Sequence, residues 1–192
     1  MKNLCIYCGS ALGANPEYEA AARRLGRAVA RLGMGLVYGG GRVGLMGIVA
    51  DAVLENGGQA IGVIPEALAS AEVAHSGLTE LHVVADMHQR KALMARRADA
   101  FLTLPGGIGT FEEFFETLSW AGLKLHHKPM GLLNVAGYFD PLLALLDHAV
   151  TARFVKKEFL DVLVVSSDPE AIVEELVGRT PAHRPQQRID FS

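Results

Sequence analysis

The chain has 192 residues, 50% hydrophobic and 20% charged, a composition that folds into a globular domain rather than staying disordered. Its formal net charge of −3 lacks the excess of positive charge that nucleic acid or an anionic membrane surface requires of a partner. The length fits one domain with a sizeable core, and no stretch approaches the ~20 apolar residues of a membrane-crossing helix.

The first residues, MKNLCIYCGS, enter a strand-like run at Leu4–Cys8 without the apolar stretch of a signal peptide, so the expected location is the cytoplasm. Cys5 and Cys8 form a C-x-x-C spacing. On a strand, positions i and i+3 face opposite ways and lie about 10 Å apart, beyond the ~7 Å limit for a disulfide, so two reduced strand cysteines are expected. Asn15-Pro16 then opens a helix over 15–32 with a cap residue and Pro at the first helical position.

Further strands are expected at Gly35–Tyr38, Ala60–Ile64, Leu81–Val84, Ala100–Leu104, Met130–Asn134 and Val162–Val165. Helical patterns fall at about 44–57, 87–98, 110–122, 138–150 and 168–178, the second helix stopped by Gly57-Gly58 and the last opened by Asp168-Pro169. Continuous apolar strands alternating with helices predict an α/β fold, a doubly wound, mostly parallel sheet with helices on both faces (Rossmann-like). The domain is expected over 1–179, with 180–192 a loose polar tail, and 65–79 a less regular loop that covers a site.

Ligands of open α/β sheets sit beyond the carboxyl ends of the strands. Three of the expected strands end there in glycine turns: Cys8-Gly9-Ser10, YGGGRVGLMG at 38–47, and PGGIGT at 105–110. Gly39-x-Gly41-x-x-Gly44 formally matches a dinucleotide fingerprint, but no acid stands at the end of the following strand, and Glu66 lies just past Pro65. As a set the turns read as a mononucleotide pocket in which backbone N–H groups meet a phosphate.

The helix after Pro105 carries Phe111, Phe114, Phe115 and Leu118 at i, i+3, i+4, i+7, which predicts its core face. Glu113 is then expected to point away from that core, one turn from the glycine loop and within reach of a ligand. Upstream, Asp86-Met87-His88-Gln89-Arg90-Lys91 opens a helix after the fourth strand. Arg90 offers a bidentate contact to phosphate and Lys91 a point charge. His126-His127 reads as a loop pair, and no metal-ligand spacing is present.

YGGGRVGLMG at 38–47, ADMHQRK at 85–91, PGGIGTFEE at 105–113 and FVKKEFLDVLVVSSDPE near the end together resemble the LONELY GUY family, cytokinin riboside 5′-monophosphate phosphoribohydrolases often misnamed lysine decarboxylases. The resemblance spans about residues 2–165. It implies cleavage of the N-glycosidic bond of an adenine-type nucleoside 5′-monophosphate, without a metal or other cofactor, by a protein that is usually a homodimer. It implies Arg90 and Glu113 as the catalytic pair and Glu72 as a substrate-binding residue. Gly106, Gly107, Ile108, Gly109, Thr110, Phe111 and Glu112 correspond to the phosphate- and ribose-binding turn. Ser10, Gly39, Gly40 and Gly41 would line the same pocket, with Met87, Lys91 and Ser119 near substrate; Met87, Phe154 and the 65–79 loop are candidates for shaping the base pocket.

Two other readings compete. Pyridoxal phosphate chemistry needs a Schiff-base lysine, and no local pattern marks Lys91 or Lys124 for it. A non-catalytic nucleotide carrier, like the molybdenum-cofactor carrier proteins, would share the glycine turns, but the joint presence of Arg90 and Glu113 favours the enzyme.

Overall fold

Seven short strands, β1 (Asn3–Tyr7), β2 (Gly35–Tyr38), β3 (Gln59–Pro65), β4 (Glu80–Val84), β5 (Ala100–Thr103), β6 (Met130–Leu133) and β7 (Leu163–Ser166), pair in one sheet. The order is β4-β3-β2-β1-β5-β6-β7 and every pairing is parallel. These come from a computed structural model that describes residues 1–69 and 74–180. Of the expected tail, Thr180 alone is described; the rest of it, and Glu72, lie outside the described residues.

The strands are near-continuous apolar runs because both sheet faces are covered. Leu4, Ile6, Leu36, Leu102 and their neighbours pack on one face with α1 (Pro16–Arg31), α2 (Gly44–Glu55) and α7 (Pro169–Arg179). Cys5, Tyr7, Val37, Phe101 and Leu132 pack on the other with α4 (Met87–Arg97), α5 (Ile108–Gly122) and α6 (Asp140–Thr151). Cys5 and Cys8 fall in opposite layers, both free and buried, as their strand spacing requires. All seven expected strands and six helices are present, so the doubly wound α/β expectation holds. The expected irregular stretch contains one additional helical turn, α3 (Glu66–Leu68).

Local chemistry sets the helix starts. The side chains of Asn15, Asp86 and Asp168 accept hydrogen bonds from N–H groups of the first turns of α1, α4 and α7. Gly26 lets α2 lie directly on α1, since a β-carbon there would stand 2.6 Å from Ala52 Cβ.

The strand order reverses at β1, whose neighbours are β2 on one side and β5 on the other. Connections leaving β1 and β5 run in opposite directions, which opens a crevice at their carboxyl ends. All three glycine turns lie at that edge.

Candidate active site

The turns after β1 and β5 are pressed together. Gly9 N–H donates to Pro105 C=O at 3.0 Å, and a β-carbon on Gly106 would come within 2.8 Å of Gly9 N and 2.2 Å of Thr110 Oγ1. The turn after β2 folds over the same edge. Gly44 has φ +60° and lies against Ser10, where a β-carbon would stand 2.2 Å from the Ser10 carbonyl carbon. Gly40 C=O accepts from His75 N–H at 2.9 Å and Gly41 bridges Ala74, so the residues after position 73 are fixed to the glycine loop. His75 Nε2 also bonds Asp51 Oδ1 at 2.9 Å, which ties this segment to α2.

Arg90 stands on the first turn of α4 and reaches back over β2. Its Nη2 donates to Gly39 C=O at 3.3 Å and Nη1 lies 3.6 Å from Met87 Sδ. Its Nε is buried without a hydrogen-bond partner among the described residues. Met87 itself is substantially exposed at the rim.

Helix α5 starts at Ile108, two residues earlier than its periodicity suggested, with Gly107 as N-cap and no side-chain cap. Its buried face is Thr110, Glu113, Phe114, Thr117 and Leu118. Phe114 and Leu118 are buried as expected and Phe111 packs against the same core, but the face is rotated from the expected one: Phe115 is 38% exposed, whereas Glu113 is only 9% exposed. A polar i, i+3, i+7 stripe therefore faces inward. Its cause is β1, where Tyr7 OH donates to Thr117 Oγ1 at 3.1 Å, and Thr117 passes the bond on to Glu113 C=O at 2.8 Å. His126 completes the anchor, Nε2–H donating to Thr117 C=O at 3.0 Å while Nδ1 accepts from Lys128 N–H at 3.1 Å. Burial lowers His126 to about 4, so the ring is neutral. Both histidines lie in the loop between α5 and β6, as expected, and His126 serves there as a buried structural imidazole.

The Glu113 carboxylate has no hydrogen-bond or ion-pair partner among the described residues. Burial pushes it up first; Arg90 and Lys91 pull it down, Glu112 and Glu116 push it up, and the balance is about 7. A carboxyl group raised toward neutrality in this way suits acid–base chemistry near neutral pH.

Lys91 is held by two carboxylates of the neighbouring helix. Its Nζ donates to Glu112 at 2.5 Å and Glu116 at 2.9 Å, joining α4 to α5. Burial alone would lower its ammonium, but the two carboxylates outweigh that and raise it. Lys91 and Glu112 thus satisfy each other. A Schiff-base lysine needs the opposite shift. Ser119 is exposed on α5, a turn and a half beyond Glu113. Ser10, Gly39, Gly40, Gly41, Gly106, Gly107, Ile108, Gly109 and Thr110 are all at the Arg90–Glu113 edge. Phe154 is 91% exposed. Tyr138 was missed: its hydroxyl donates to Gly106 C=O, a contact from the turn after β6 that no local motif signals.

The family model described as possible lysine decarboxylase matches residues 46–176. The cytokinin riboside 5′-monophosphate phosphoribohydrolase of Rhodococcoides fascians is 51% identical over 173 residues, 90% of this chain and 87% of that protein. An Arabidopsis thaliana protein of the same description is 46% identical over 180 residues, covering 94% and 83%. Among solved structures, the molybdenum cofactor binding protein of Rippkaea orientalis superposes with a TM-score of 0.70 at 21% identity, covering 93% of this chain and 97% of that one. The Chlamydomonas reinhardtii molybdenum cofactor carrier gives 0.69 at 20%, covering 92% and 98%. Those two likenesses establish the fold alone. The sequence matches establish more: this chain belongs to the LONELY GUY family of cytokinin riboside 5′-monophosphate phosphoribohydrolases, the group that also carries the older description of possible lysine decarboxylase.

Proposed function

We propose that the protein hydrolyses the N-glycosidic bond of adenine-type nucleoside 5′-monophosphates, cytokinin riboside monophosphates and AMP among them, to free base and ribose 5-phosphate. The observation that carries this reading is Glu113, a buried, unpaired carboxylate poised at about 7 beside Arg90 and the glycine turns.

As the bond from ribose C1′ to the base nitrogen breaks, its electron pair leaves with the base and positive charge develops on the sugar. Ionised Glu113 stabilises that charge and takes a proton from the attacking water, whose oxygen bonds to C1′. The base takes up one proton as it departs. Arg90 supplies a cation for the 5′-phosphate or the departing group, and the N–H groups at the start of α5 face the phosphate. Glu72 is kept as a substrate-binding proposal from the family resemblance.

The test is chromatography of the purified protein after incubation with AMP and, separately, isopentenyladenosine 5′-monophosphate. Free base plus ribose 5-phosphate supports the reading, and the ratio of rates sets the substrate preference. Tight binding without cleavage would transfer the assignment to a carrier.

A cytoplasmic homodimer is part of the same proposal. Two buried free cysteines suit a reducing compartment. Ile108, Phe115 and Leu123 form an exposed apolar stripe along α5, the kind of surface a second copy covers.

A further inference from the structure

We propose that Tyr138 is a positioning residue: it sets the direction of the Gly106–Gly107 peptide so that the turn presents N–H groups, not carbonyls, to the 5′-phosphate. The inference rests on the phosphoribohydrolase reading and names how its phosphate subsite is held in shape.

After β6 the chain turns sharply, and Asn134 organises the turn. Its Oδ1 accepts from Phe139 N–H at 2.7 Å, its Nδ2 donates to Asp140 Oδ1 at 2.7 Å, and its backbone N–H donates to Ser166 C=O at 2.8 Å. Ala136 at φ 51° and Gly137 at φ 71° are both left-handed. A left-handed alanine is strained and persists only where its surroundings over-determine it. The turn's product is the placement of Tyr138. Its ring stacks on Phe111 in the first turn of α5, centroids 6.4 Å apart and 17° from parallel, and meets Tyr18 edge-on at 5.6 Å. Its hydroxyl donates to Gly106 C=O.

In a trans peptide, C=O and N–H point in opposite directions. Drawing Gly106 C=O toward Tyr138 therefore turns Gly107 N–H the other way. The preceding peptide is held likewise, with Pro105 C=O taken by Gly9 N–H at 3.0 Å. Two successive carbonyls are tied back, and the Gly106 and Gly107 N–H groups join those of the uncapped first turn of α5. Successive N–H groups so arranged form an anion-binding concavity. A flip of the Gly106–Gly107 peptide would put a carbonyl dipole against the phosphate instead. Glycine at 107 keeps the approach open, since a β-carbon there would meet nothing within 4 Å.

The experiment compares the full-length protein with Tyr138→Phe, which keeps the ring and its stacking. Kd for ribose 5-phosphate and KM for AMP are expected to rise about three- to tenfold, the range one neutral hydrogen bond carries, with kcat within about twofold. An unchanged Kd for ribose 5-phosphate overturns the proposal, as does a fall in kcat at constant KM. If the variant melts early, Kd values for ribose 5-phosphate and adenine are compared below the transition. Weakening confined to the phosphate ligand supports positioning; equal weakening of both is general loosening and overturns it. A parent protein that binds AMP without cleaving it would remove the hydrolytic reading while the Kd comparison still decides the role of Tyr138. A parent that binds neither ligand overturns both.

Discussion

Arg90 Nη2 occupies the space that a side chain at Gly39 would need: a β-carbon there would stand 1.9 Å from it, while Nη2 donates to Gly39 C=O at 3.3 Å. The first glycine of the loop after β2 is thus a seat for the guanidinium. Gly39 is not left-handed, and the atom it would strike ends a flexible side chain. Gly39→Ala should therefore fold, with a melting temperature within about 3 °C of the parent. Displacing Arg90 by an ångström or more should cost on the order of 100-fold in kcat/KM for AMP. Near-parental turnover would remove Arg90 from the site.

Glu113→Gln keeps the shape and removes the charge. Turnover should fall at least ~100-fold. In the parent, kcat/KM should rise with pH through an apparent pKa of about 7, the pH at which Glu113 becomes the base, and the variant should lose that limb. A pH profile that survives the substitution would assign the base elsewhere.

The same variant makes a stability prediction whose sign follows from linkage. Glu113 is raised from 4.5 to about 7, so the native state holds a proton that the unfolded chain has released, and stability falls as pH rises through that window. His126 is lowered from 6.5 to about 4, so there the unfolded chain binds the extra proton and stability rises as pH climbs from 4 to 6.5. Each window is worth up to about 3 kcal/mol, and over most of their range the two slopes oppose. Denaturant melts of the parent should be nearly level between pH 4.5 and 6.5 as far as these two groups are concerned. In Glu113→Gln the His126 slope should stand alone, and the variant should be more stable than the parent at pH 8. Equal stabilities at pH 8 would contradict the burial of an ionised Glu113.

Lys91 joins two helices through Glu112 and Glu116. Both carboxylates keep some solvent, so the tie is a screened one. Lys91→Met should cost about 1 kcal/mol in urea melts and leave KM for AMP within a few-fold of the parent. A large rise in KM with unchanged stability would return Lys91 to the substrate.

The fold was legible because its signals are local. Asn15-Pro16 and Asp168-Pro169 mark helix starts by capping chemistry, and strands buried on both faces announce themselves as apolar runs. The glycine turns were legible as clusters at strand ends, although what requires glycine at Gly39 and Gly44 comes from Arg90 and Ser10, far away in sequence. The orientation of α5 was not. Periodicity assigned Phe115 to the core, yet Tyr7, 110 residues away from Thr117, rewards a threonine on the inner face and turns Glu113 inward with it. The ion pairs of Lys91 were hidden in the same manner, because its partners sit on another helix. Tyr138 was invisible since its contact is one hydroxyl meeting one carbonyl between the turns that follow two neighbouring strands.

The central position of β1 has a kinetic corollary. Its pairing with β2 joins Leu4 to Leu36, but its pairing with β5 joins Leu4 to Ala100, a far longer loop to close. Loop-closure entropy makes the second pairing the slower to nucleate. Gly9 and Gly106 come together only when it forms, so any species with β5 undocked lacks the phosphate turn. During refolding, nucleotide binding will then lag behind assembly of the amino-terminal four strands, and a ligand that captures the completed crevice will stabilise the whole chain by mass action rather than either half of it.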